Sequence, residues 1–472
     1  MRSLVADYLY YIHDKPHSLF LSSALNEAID NGTLPRSITF GIAALSAGYV
    51  SFLFHSLLRL TVSRFSKDES LRARIFEFAL IARESLKENM EIVSLENIKA
   101  CILVGEHAAG VSDRSAEIMY DSWAVRMAQV LRLWEDDPAK STIENEIRWR
   151  VWYSCCMIDT WSSIGHNVPK VIDAHTARIE NLTPEDHLQR CTNTRVLNPG
   201  CGVGLWTFMA RLALIYARVP DLHRQLAAFD CNEYNIHEST AEVVAELEKY
   251  YTEIPTSLQF NPENLQSHIS RGIGHVFIAL HLGFHHYSNL VHFPYLDPRR
   301  SRLFPTDMHA ERCKYHAGAL SDILSTSLSQ PGCETLYQTV GHMATVSSCV
   351  LLYILLLGEN HEIDAAKARL GTNFTKLIEL TKYWPAMHQV VSITAQMRCT
   401  FIDISGQKDR LLEFQYACLI SKSQTVHKLD NWMVRFLLYY ALPLPPKLPD
   451  QFSGTFIERM DVTDDVFQKF DL

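Results

Sequence analysis

Residues 144–163 read ENEIRWRVWYSCCMIDTWSS. Ile147, Val151, Cys155 and Ile158 recur at steps of three or four, which makes them one stripe of a helix. Trp152, Cys156 and Asp159 form a neighbouring stripe. Glu144 with Arg148, and Glu146 with Arg150, stand four apart in the acid-before-base order that favours a helix. Two expected ion pairs, two apolar stripes and an acid at the buried edge describe a packing helix. Residue physics alone assigns it no chemistry.

The same period continues outward. Ser66-x-x-Glu69 has the pattern of a capping box, and Leu71, Ile75, Phe78, Ala82 and Leu86 fall on one helical face behind it. Ser94 and Leu95 open a further segment through Ile98, Ile102 and Leu103. Met119, Trp123, Met127 and Val130 predict a buried stripe on another, ending near Asp136-Asp137-Pro138. Strand-like alternation is scarce, so the predicted class is all-α, one large multi-helix domain. Asn198-Pro199-Gly200, Asn261-Pro262 and Phe304-Pro305 read as loops. One helical body is expected over residues 1–440. A Pro-rich linker (Pro443 to Pro449) and an acidic tail follow it, over 441–472.

Composition sets the outer limits. With 472 residues, 47% of them hydrophobic and 21% charged, the chain has the make-up of a globular protein with a large core. A net charge of −9 gives it no overall attraction for a phosphate backbone, so DNA contact would need a local patch or another module. The eleven cysteines contain no C-x-x-C pair, which excludes most structural zinc modules and favours reduced thiols buried as small hydrophobes. Ile38 to Leu58 carries no Asp, Glu, Lys or Arg and is long enough to span a bilayer. Thr39, Ser46, Ser51, His55 and Ser56 interrupt it. Cys349 to Leu357 reads as a buried core helix.

The run from Glu146 to Asp159 resembles the signature helix of the fungal-specific transcription factor domain, also called the middle homology region. In that family an acid, closely spaced arginines, a Trp-Trp or Trp-Tyr pair, a Cys and an Asp fall in this order. Tyr8 to Phe20, Ser94 to Glu106, Tyr120 to Leu133, Gly204 to Tyr216 and Leu280 to Tyr287 are similar to other helices of the family. The likeness covers most of residues 1–300 in order. Thr160 stands where the family has Arg, and Gly165 to Pro169 is a loosened form of its Gly-Arg-Pro turn.

The resemblance implies a nuclear regulator of RNA polymerase II transcription, serving a metabolic or biosynthetic gene set and not acting as an enzyme. Its regulatory body would sense a small-molecule effector or a partner protein, with homo- or heterodimers expected and no membrane partner. Family members carry an N-terminal six-cysteine cluster with two zinc ions; here Met1 falls where the regulatory domain would begin. DNA contact is therefore expected only through that missing module or a partner, with no cofactor in this chain. Against the family pattern, residues 48–62, Gly48 to Val62, read as an insertion, in the manner of a retained intron.

Rival signals are weaker. The Gly200–Gly204 loop resembles the glycine-rich loop of S-adenosylmethionine methyltransferases, but lacks the preceding acid and a following strand. A membrane-anchored helical protein, held by Ile38–Leu58, is the other alternative. His281, His285, His286 and His292 share helical spacing suited to a metal, yet no acid lies between them, and they read as core. Arg299, Arg300 and Arg302 read as a solvated loop. No catalytic or metal-ligating residue is expected, and the sequence names no pocket residue.

Overall fold

The computed structural model describes residues 1–47, 74–166, 168–172, 182–188, 202–227, 233–296, 307–388 and 390–391. Among them are sixteen α-helices and no strand, so the all-α class holds. Three helices open the chain: α1 (Arg2–Tyr11), α2 (Ser22–Asp30) and α3 (Arg36–Ser46). Next come α4 (Ile75–Glu88), α5 (Leu95–Gly110), α6 (Arg114–Val130) and α7 (Thr142–His166). The short α8 (Glu185–Leu188) leads to α9 (Leu205–Tyr216), α10 (Val219–Ala227) and α11 (Glu233–Glu253). The last five are α12 (Pro262–Ser270), α13 (Gly274–His292), α14 (Asp307–Ser329), α15 (Thr339–Leu357) and α16 (Ile363–Thr381).

Local chemistry sets several of these ends. Ser94 caps α5 by accepting the Asn97 amide at 3.2 Å, as its sequence position predicted. Asn261-Pro262, expected to be a loop, instead starts a helix. Asn261 accepts the Asn264 amide, and Pro262 takes the first turn, where a missing N–H costs nothing.

Two helices act as axles. Every residue of α13 is buried, and α7 is buried along both predicted stripes. Helix α9 packs against both axles, and Trp161 of α7 donates to the Tyr287 hydroxyl of α13 at 2.9 Å. Phe277 at the centre has no exposed surface, a burial that contributes about 1.5–3 kcal/mol of transfer free energy. Around α13 lie α12, α14 and α15; α4, α5 and α6 stack towards α7.

The predicted faces of α4 and α5 are buried through Ile75, Phe78, Ala82, Leu86, Ile98, Ile102 and Leu103. The predicted face of α6 is corrected. Met127 is buried and Trp123 half-buried as expected, but Met119 and Val130 are exposed, and the helix also buries Tyr120, Asp121, Ala124, Val125 and Ala128. Small residues win there because α5 approaches closely: a Cβ on Gly105 would meet Asp121 Oδ1 at 2.4 Å.

Leu71, the Ser66–Glu69 box, the suspected insertion at 48–62, the arginines 299–302 and the linker and tail at 441–472 lie outside the described residues, as does the 440 boundary. So does the second half of Ile38–Leu58. Among the described residues no helix is long and apolar enough to cross a membrane. Cys101, Cys155, Cys156, Cys313, Cys333 and Cys349 are free thiols and buried.

Candidate functional site: a buried ionic hub

Arg150 sits on α7 with no exposed surface. A guanidinium there must spend its donors inside the protein, because burying a charge without partners costs several kcal/mol. Its Nε donates to Glu146 Oε1 at 3.1 Å, one turn earlier on the same helix. Nη1 donates to Ser18 Oγ at 3.2 Å, and Nη2 donates to the Thr183 carbonyl at 2.6 Å. The carboxylates of Glu185 and Asp14 stand 3.6 and 3.9 Å away.

Each acid has donors of its own. Glu146 accepts from the Thr183 amide (2.9 Å) and hydroxyl (2.6 Å). Glu185 accepts the Leu205 and Trp206 amides at 2.9 and 3.0 Å, which are free donors at the start of α9. Asp14 accepts the Ser18 hydroxyl at 2.6 Å and lies 3.2 Å from His13 Nδ1. His13 Nε2 in turn accepts the Leu19 and Phe20 amides. One side chain of α7 thus fixes the turn after α1, the segment before α8 and the start of α9.

Burial alone would raise the Asp14 carboxyl, but His13 and Arg150 outweigh it and hold it below the usual range. Glu185 goes the other way: burial raises it, and Arg150 offsets only part of that. Burial brings the Lys15 ammonium down to about 7, against Asp14 and Glu334; it donates to the Tyr10 and His13 carbonyls.

The second expected ion pair of the signature does not form. Glu144 instead accepts from the Ser141 amide and hydroxyl at 2.8 Å, a helix-start contact, while Arg148 donates to the Leu131 carbonyl. Asp159 accepts the Val171 and Ile172 amides, pinning the chain just beyond α7; burial raises its carboxyl despite those amides. Thr160, the departure from the family pattern, donates to the Cys156 carbonyl within its own helix.

The rival readings meet specific obstacles. Of the Gly200–Gly204 loop, residues 202–204 are described, and they lead directly into α9. The helix start they lead to is filled by Glu185, and a Cβ on Gly204 would come within 2.5 Å of the Thr183 carbonyl oxygen. The glycine makes room for this chain's own backbone and carboxylate. The histidines of α13 are core, as expected. His281 bonds the Leu258 carbonyl, and His285 and His292 each face another histidine. Among the described residues no group of three or more His, Cys, Asp or Glu is arranged to hold a metal ion.

Asp14, Ser18, Thr183 and Glu185 were not singled out from the sequence. Thr183-Pro184-Glu185-Asp186 is a readable helix start, a capping residue followed by Pro and two acids, and was the available signal.

With this geometry established, comparison with known families matches residues 46–258 to the fungal specific transcription factor domain. That stretch is a fungal-specific transcription factor domain. Glu146, Arg150 and Asp159 fall within the matched residues. Two similar proteins are Zn(2)-C6 fungal-type transcription factors of Fusarium oxysporum f. sp. lycopersici. FTF1c is 23% identical over 80% of this chain and 43% of its own length; FTF2 is 23% identical over 80% and 38%. An uncharacterized transcriptional regulatory protein of Schizosaccharomyces pombe is 22% identical over 59% of this chain and 31% of its own. The chain thus spans about two fifths of the length of these Fusarium relatives. No solved structure matches.

Proposed function

We propose that this chain is the regulatory body of a zinc-cluster-type transcription regulator acting in the nucleus on a metabolic or biosynthetic gene set. The observation that carries this reading is the family domain at residues 46–258, together with relatives that are named transcription factors. DNA would be contacted by a six-cysteine, two-zinc module outside this sequence or by a partner protein.

The reading assigns the chain no bond chemistry. At the hub, Arg150, Glu146 and Glu185 are spent on one another and on the backbone. A network that fixes three chain segments at once suits a body with two discrete helical packings, biased by an effector or a partner.

The test fuses the whole chain to an unrelated DNA-binding domain and reads a reporter carrying that domain's site. The expected result is a severalfold change, up or down, that is lost when Arg150→Met loosens the hub. A folded fusion that leaves the reporter unchanged across growth conditions would overturn the reading.

A further inference from the structure

Helices α13 and α14 meet along a polar seam of regular spacing. His285 faces His316, and seven residues along, His292 faces His309. In each pair the two Nδ1 atoms stand 2.9 Å apart. Midway between the pairs, the Cys313 thiol donates to Asn289 Oδ1 at 2.9 Å. The numbers rise on one helix as they fall on the other, so the two pairs are contacts two turns apart along an antiparallel seam. The rings nearly touch along its length: His292 stacks on His316 with centroids 6.0 Å apart, and Tyr295 stacks on His309 at 4.3 Å.

A short contact between two Nδ1 atoms depends on its proton count. It is a hydrogen bond while one Nδ1 carries a proton and the other offers a lone pair. Once both rings are charged, two donors and two like charges face each other. The surroundings disfavour that charge. Arg312 of α14 repels protons from His292, His309 and His316, and is paired with Glu248 of α11 at 2.6 Å. His237 of α11 adds to the repulsion at His309. Asp322 pulls the other way on His285, but is itself paired with Arg369 of α16 at 2.7 Å. Elsewhere around α13, His286 meets His342 of α15, and His268 of α12 lowers His281.

We propose that this seam is a proton-operated latch, closed while each histidine pair shares one Nδ1 proton and opened when the separated rings take up more. The latch rests on the seam alone and stands whether or not the chain regulates transcription. Burial brings His285 down to about 4 against Asp322; burial first, then neighbouring histidines and Arg312, bring His309 to about 4, His292 to about 3 and His316 to about 2. A water-exposed imidazole titrates near 6.5. Depressed values mean that the closed seam stays neutral while the open seam binds protons below that point. The latch is therefore at full strength above pH 6.5 and weakens as pH falls towards the closed values. From pH 7.5 to 5.5 each histidine shifts the balance towards opening by about tenfold, so each pair shifts it by about a hundredfold.

The test is amide hydrogen exchange by mass spectrometry on the full chain at pH 7.5 and 5.5, corrected for the intrinsic effect of pH on exchange. Peptides from α13 and α14 are expected to lose about a hundredfold in protection per pair, up to about ten-thousandfold where both pairs open together, relative to α6, which contains no histidine. Two double variants carry the assignment to the pairs. H285N/H316N keeps a cross-helix hydrogen bond that does not titrate, and H292L/H309L replaces the other pair with apolar bulk. Each is expected to reduce the pH effect on the seam about a hundredfold. Equal loss in α6 and in the seam overturns the latch, and so does a folded double variant that keeps the full pH effect. The comparison within the unmodified chain decides the matter if neither variant folds.

Discussion

Replacing Arg150 with methionine keeps the bulk of a fully buried side chain and removes its charge and its donors. The change leaves the carboxylates of Glu146, Glu185 and Asp14 around an uncharged side chain, and strips donors from Ser18 Oγ and the Thr183 carbonyl. Breaking a buried ion pair from one side costs about 3–5 kcal/mol, because the surviving charge stays buried. Here each acid keeps donors of its own: two backbone amides for Glu185, the amide and hydroxyl of Thr183 for Glu146, and the Ser18 hydroxyl for Asp14. That places Arg150→Met near the lower end, at about 3 kcal/mol, a large share of a typical net stability of about 5–15 kcal/mol. Urea unfolding followed by circular dichroism at the helix band reads the loss as a lower midpoint at an unchanged slope. Pairing the change with Glu146→Gln should fall short of additivity by about 1–2 kcal/mol, since the two groups share one interaction. A loss under about 1 kcal/mol, or full additivity in the double variant, would refute the hub as the element that ties these segments.

Glu106 is pushed up to about 7, by burial first and then by Glu117, and its Oε1 has no hydrogen-bond partner among the described residues. The folded state keeps its proton, so this group's contribution is intact below its unfolded value near 4.5 and is lost as pH rises through 7. Glu106→Gln should match the unmodified chain at pH 4.5 and exceed it at pH 8 by up to about 3 kcal/mol, measured by urea midpoints at both values. Gly204→Ala drives a methyl into the Thr183 carbonyl and Glu185, and is expected to cost about 1–3 kcal/mol in the same assay. Calorimetry of the intact chain with S-adenosylmethionine should show no binding heat; saturable binding that Gly204→Ala abolishes would restore the methyltransferase alternative. We propose that residues 48–62 are an insertion; sequencing of native transcripts should find a spliced message without their codons, and a message that always retains them refutes it.

Much of this was legible in the sequence for physical reasons. Helical period is a local property, so α4, α5 and α7 stood out wherever large apolar residues marked the buried face. It failed in part on α6, where Met127 is buried as expected but Met119 and Val130 face outward, and Ala124, Ala128 and Asp121 complete the buried face opposite Gly105. Small residues chosen for close approach leave no hydrophobic signal of their own. The Glu146–Arg150 pair was readable because its partners are one turn apart. Asp14 and Ser18 were not, since they reach Arg150 from more than 130 residues away and no spacing rule spans that gap. Glu144 and Arg148 had the right spacing, but better local partners claimed each of them.

The complete burial of α13 has a consequence for how the molecule is made. The stretch that defines the family stops at residue 258, before this helix has been synthesised, and Trp161 awaits Tyr287 on it. The closing contacts come later still: the Tyr10 hydroxyl donates to Glu334 at 2.6 Å, across 324 residues of chain. A nascent chain leaving the ribosome therefore carries an unfinished interior until its last helices arrive, and apolar surface stays open to aggregation over that interval. Expression of the fragment bounded by the family match should produce aggregates or chaperone-held material, and a soluble recombinant product needs at least the chain through α16.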